Sequence, residues 1–157
     1  MEDVNEIFND FAALFTGHLR DPDGEDVVHA DRLDRAALDG TLESLKVVDA
    51  YLEYLHQHRP ERMGPDWART VLRAGAYTGE IIRHTAERRY DWIDYDVFTA
   101  AYPDVRRVLG DRGLPVASVL STGDGGFTLP LNKVIKYLAN GSEDSVWFYA
   151  SAEIRSS

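Results

Sequence analysis

The chain contains no cysteine among its 157 residues, which removes both a disulfide framework and any thiolate-ligated metal. A cysteine-free composition also favours a reducing compartment. Long apolar runs are missing as well, since nothing approaches the ~18 residues that span a bilayer. The opening Met1-Glu2-Asp3-Val4-Asn5-Glu6 has neither the basic nor the apolar region of a secretory signal. Together these absences predict a cytoplasmic protein with no membrane partner.

Catalytic and metal-binding patterns are equally scarce. His18, His29, His56, His58 and His84 include no H-E-x-x-H pair. His56 and His58 lie two apart, so on a helix they point about 200° apart and cannot share one ion. Asp21-Pro22-Asp23-Gly24 begins like a calcium loop, but the glycine of such a loop comes later and Arg32 stands where its closing glutamate belongs. Ser118, Ser121 and Ser145 sit in no G-x-S-x-G elbow and have no identifiable histidine partner. Gly123-Asp124-Gly125-Gly126 is too short and too acidic to cradle a phosphate, and reads as a hairpin turn. The expectation is no metal, no cofactor and no catalytic centre.

What is present is acid, concentrated in one part of the chain. The formal net charge is −10, and it all falls on residues 1–66, which carry sixteen acidic and six basic side chains. Residues 67–157 carry eleven of each. Such a surface either keeps the protein soluble or steers a basic partner toward it. It opposes nucleic-acid binding, because phosphates are repelled. The remaining composition, 44% hydrophobic and 28% charged, is that of a folded globule, and the length fits one domain.

Val4, Ile7, Phe8, Phe11, Leu14 and Phe15 recur at helical spacing and predict a helix from Asp3 to His18. Asp21-Pro22-Asp23-Gly24 turns the chain, and the stretch to Asp39 has room for one short helix around Arg32–Leu38. Thr41 is a good N-cap for a second helix running to His58, with Leu42, Leu45, Val48, Leu52 and Leu55 as its buried stripe. A loop is expected over Arg59–Pro65. Asp66 then caps a third helix, Trp67–Arg88, whose apolar side holds Val71, Leu72, Ala76, Ile81 and Ile82. Beyond it, Tyr90–Tyr95, Pro115–Leu120 and Gly126–Leu129 read as strands, the last two joined by a turn at Thr122–Gly126. Pro130 opens a fourth helix that Asn140-Gly141 ends, with Leu131, Val134, Ile135 and Leu138 inward. Ser142 is placed to cap a final segment, and Val146–Tyr149 suits a strand as well as a helix. The predicted class is α+β, a single domain over 1–157 in which a helix-rich N-terminal part packs with a small antiparallel sheet of about three strands.

Inside the third helix, Gly75-Ala76-Tyr77-Thr78-Gly79-Glu80-Ile81-Ile82-Arg83-His84 stands out. Each mid-helix glycine costs ~1 kcal/mol against alanine, so the close approach of a neighbour is expected to offset it. Glu80 has Arg83 and His84 at i+3 and i+4, a group suited either to acid–base work or to an ion pair that stabilises the helix.

That segment resembles, together with Leu42-Glu43-Ser44-Leu45-Lys46-Val47-Val48-Asp49 and the stretch Lys133–Ser145 ending in Asn140-Gly141-Ser142-Glu143-Asp144-Ser145, a family of small bacterial proteins without an assigned activity. The family's pattern is a G-A-Y-x-G-E-[VI]-[IL]-R helix, a few strands and an N-G-x-E-D-S turn. The resemblance covers about Leu42 to Ala150 and leaves the acidic N-terminal third outside it. Some similar bacterial proteins are thought to be immunity proteins for secreted toxins, so the resemblance implies toxin neutralisation.

The leading expectation is therefore a non-enzymatic, cytoplasmic, immunity-type protein. It would bind a basic protein partner, such as a toxin domain, through Asp23, Glu25, Asp26, Asp31 and Asp34. The alternative is a small-molecule-binding domain or an unrecognised enzyme. Its site would lie between the third helix and the sheet, with Glu80, His84, Asp94 and Tyr95. A homo-oligomeric module joined through Trp147, Phe148 and Tyr149 is the third reading.

Overall fold

The computed structural model describes residues 3–58 and 64–156. Asp3 is extended and its carboxylate accepts the N–H of Asn5, which starts α1 (Val4–Thr16). Gly17, at φ 87°, ends that helix in the left-handed conformation. Phe8, Ala12 and Phe15 face the core. The expected short helix near Arg32–Leu38 is instead two 3-10 turns, Ala30–Arg32 and Arg35–Ala37, with Leu33 extended between them. The reason is geometric. Leu33 and Leu38 are both buried, yet five residues apart they would lie on different sides of one helix.

Thr41 caps a 3-10 turn, Leu42–Ser44, that continues into α2 (Leu45–His58). Leu45, Val48, Leu52 and Leu55 are buried as expected, joined by Tyr51, while Leu42 is only partly covered. The loop expected over Arg59–Pro65 falls largely outside the described residues. Next comes α3 (Pro65–Thr85), which begins with Pro65 at its first position. Asp66 is thus inside the first turn, where it pairs with Arg69 at 2.8 Å instead of capping. The helix stops at Thr85, short of Arg88.

This third helix is the axis of the fold. From Thr70 to Ile82 every residue except Leu72 is buried. It packs against α1, α6 (Pro130–Asn140) and α7 (Val146–Arg155), and α2 closes on α6 and α7. The final segment is helical because its N-terminus finds acceptors. Ser145, not Ser142, caps it through Phe148 N–H, and Asp49 of α2 accepts the N–H of Val146 at 2.7 Å from 97 residues away. Burial pushes the Asp49 carboxyl upward, against the donations of Ser145, Val146 and Trp147.

Among the described residues the sheet has three antiparallel strands in chain order, β1 (Asp91–Asp94), β2 (Ser118–Ser121) and β3 (Phe127–Thr128). Each is shorter than its expected span. Tyr95 opens α4 (Tyr95–Ala101) instead of ending a strand, and Leu114–Val116 is a 3-10 turn. A one-turn α5 (Arg106–Leu109) lies between them. Along β2, Val119 and Leu120 point to opposite faces. Leu120 joins the main core with Trp92, and Val119 a smaller cluster with Tyr95, Phe98, Leu109 and Val116. The sheet thus divides two apolar clusters. On the free side of β1, the Asn5 side-chain amide accepts the N–H of Trp92 at 2.8 Å and donates to Asp91 at 2.9 Å. The architecture is α+β, as the sequence pattern predicts.

Candidate functional site

The acidic stretch begins by fastening itself to α3. Arg69 and Arg73 lie four apart and so share one face of that helix. Arg73, whose side chain is only 6% exposed, donates to the Asp21 carboxylate at 2.9 Å and to the Glu25 carbonyl at 3.1 Å. Arg69 pairs with Glu25 and Asp66. Arg35 forks onto both carboxylate oxygens of Asp26 while its Nε donates to the Phe15 carbonyl. The Asp23 N–H, followed by Glu25 N–H and Arg73, holds the Asp21 carboxyl below its usual range. For Asp26, burial works upward, but Arg35 and the Val27 N–H outweigh it and the carboxyl again sits low. Glu25 and Asp26 therefore serve the protein's own closure. Asp23, Asp31 and Asp34 stand exposed, with Asp31 near Arg32 at 3.9 Å.

On the other side of the 35–40 segment, α1 and α3 flank a cleft of about 820 Å³. Ala12, Ala13, Leu38 and Ile81 supply its apolar wall. Tyr77, Glu80 and His84 reach it from α3 because the spacings i+3 and i+4 keep them on one face. The Tyr77 hydroxyl accepts from Gly40 N–H at 3.1 Å and lies 2.6 Å from Ser44 Oγ. Burial raises its pKa, so it stays a neutral phenol. Asp39 accepts from both the hydroxyl and the N–H of Thr41, which hold it below its usual range and hence ionised.

Glu80 is the unusual member. Its side chain is 7% exposed, and its Oε2 accepts from Arg83 Nε at 2.8 Å and from Trp92 Nε1 at 3.1 Å. Its Oε1 is buried and accepts no hydrogen bond among the described residues, with His84 Nε2 at 3.5 Å. A buried acceptor left without a donor is costly, and such atoms are rare in folded chains.

The four residues Glu80, His84, Asp94 and Tyr95 do not form one site. Asp94 accepts from Ser118 Oγ at 2.9 Å, and the buried Tyr95 donates to the Gly110 carbonyl at 2.7 Å. Neither lines the cleft, although Glu80, which does, also accepts from Trp92 of β1. Sequence reasoning missed the cleft's other polar members, among them His18, Arg35, Asp39 and Tyr77, which only the fold brings together. Among the described residues no three His, Asp or Glu side chains stand close enough to hold a metal ion, and no helix is long and apolar enough to cross a membrane. Of the C-terminal aromatics, Phe148 is exposed, and Trp147 and Tyr149 are half-buried, with the Tyr149 hydroxyl 2.6 Å from Thr128 Oγ1. No family model, curated protein or solved structure matches the chain.

Proposed function

We propose that the chain is a non-enzymatic cytoplasmic protein that binds a basic protein partner, in the immunity-type manner its sequence resemblance implies, with a toxin domain as that partner. The observation that carries this reading is the placement of charge. The whole −10 lies in residues 1–66, and Asp23, Asp31 and Asp34 remain exposed after the neighbouring carboxylates have taken up Arg35, Arg69 and Arg73. Carboxylates of this kind raise association rates and select partners of opposite sign.

The test compares the wild-type chain with the combined variant Asp23→Asn, Asp31→Asn, Asp34→Asn. A partner captured at low salt is identified, purified and titrated against both. The expected result is a basic protein whose association rate falls about tenfold or more with the variant and declines steeply with salt. A partner bound equally fast by both chains, or none captured at low salt, overturns the reading.

A further inference from the structure

From the cleft between α1 and α3, we infer that this protein binds an alkyl cation, a guanidinium or ammonium group on an apolar stem, with the head on Glu80 Oε1 and the stem along Ile81, Leu38 and Ala12. This inference rests on the cleft alone and not on the exposed carboxylates of the acidic stretch.

Three observations lead there. First, Glu80 Oε1 is a buried carboxylate oxygen without a donor among the described residues, in a side chain that Arg83 and Trp92 already hold in place through its other oxygen. Its orientation is fixed before any ligand arrives, so little ordering is needed on binding. Second, among the described residues the cleft offers acceptors and no uncommitted guanidinium. Arg35 lines it, but all of its donors named above go to Phe15 and Asp26, while Asp39 adds a second ionised carboxylate. Among the described residues an anion finds no free positive charge from an arginine or lysine there. A cation finds a buried carboxylate, the setting in which charged hydrogen bonds are strongest. Third, a volume of about 820 Å³ is in the range of small-ligand sites, and its wall is apolar enough for a methylene stem.

His84 is the competitor. Its Nε2 lies 3.5 Å from Oε1, on a side chain that is 63% exposed. That ring is exposed and no part of the core, so its removal tests whether it competes for the oxygen.

The cation has two sources, a free small molecule or an arginine side chain presented by a protein. NMR titrations with n-butylguanidinium and with the blocked tripeptide acetyl-Gly-Arg-Gly-amide separate them, with n-butylurea as the uncharged isostere. Butylguanidinium is expected to shift Ala12, Tyr77 and Ile81, and butylurea to bind at least tenfold more weakly. A tripeptide that binds as well as the fragment identifies the side-chain source, whereas a tripeptide that fails where the fragment binds identifies a free ligand. Glu80→Gln should weaken butylguanidinium about tenfold or more, and Asp39→Asn, at an exposed position, gives the same direction if the Gln variant does not fold. His84→Ala should strengthen it severalfold, a gain that loss of a merely structural ring would not produce. Failure of butylguanidinium to shift those resonances, or equal binding of guanidinium and urea, overturns the inference. Either result leaves the protein-partner titration to be judged by itself.

Discussion

At the scale of single residues, the two glycines of α3 carry the most definite consequence. A methyl group on Gly75 would lie 2.5 Å from Leu131 Cδ2 and 3.1 Å from Leu131 Cα, and one on Gly79 would overlap the Trp92 ring. Leu131 is fully buried and Trp92 nearly so, which leaves neither neighbour room to retreat. Alanine at Gly79 should therefore destabilise the protein by ~1–3 kcal/mol, in spite of a helix-propensity gain of ~1 kcal/mol. Leucine should be worse at either position. Thermal melts check this, with an expected fall of roughly 2–4 °C per kcal/mol at this chain length. A Gly79→Ala protein that melts at or above the wild-type temperature refutes the packing account.

At the scale of elements, the acidic segment is a strap closed by ion pairs of unequal strength. The Arg73–Asp21 pair is largely covered, whereas Glu25, the partner of Arg69, is 55% exposed. Covered pairs are expensive to break and exposed ones contribute little. Arg73→Ala is accordingly expected to lower the melting temperature by several degrees, and Arg69→Ala by about a degree or none.

Acid should open the same strap. The Asp21 and Asp26 carboxyls are depressed below their ordinary 3.8, so their contribution is complete above that pH. It is lost as the pH falls through the depressed values. The Val28 N–H, which donates to Thr70 Oγ1 at 2.9 Å, is a local reporter. Its exchange protection should persist down to about pH 4, fall below it, and become less pH-dependent in Asp21→Asn. Protection that disappears already near neutral pH contradicts this account.

The elements also show how far the sequence could be read. α1, α2, α3 and α6 are long enough for apolar spacing to declare them. The stretch after β1 was opaque, because helices of seven and four residues complete too few turns to show a period. Val146–Tyr149 was ambiguous because aromatic and β-branched residues suit strands, and what makes it helical includes Asp49, far away in the chain. The same limit governs the cleft. Glu80 and His84 are visible as neighbours on one helix. Asp39 and His18 join them only after α1 and the 35–40 segment have folded against α3.

At the scale of the whole molecule, the charge division of the chain is not a division of the structure. Carboxylates of the acidic part close on Arg69 and Arg73 of the balanced part, and Asp49 caps a helix near the C-terminus. A comparable long-range link begins at Asn5. Among the described residues β1 has a strand beside it on one side only, and on the other the Asn5 amide occupies the Trp92 N–H. An unpaired edge is a template for another chain, and here one side chain blocks the rung that would be copied. Asn5→Leu should unblock it and make the protein associate with itself edge to edge more readily than the wild type. Sedimentation at rising concentration would show larger oligomers for the variant than for the wild type. Identical profiles would mean that the edge is guarded elsewhere. On this account the first turn of α1 has a second duty besides covering the core, which is to keep each copy of the molecule from recruiting the next.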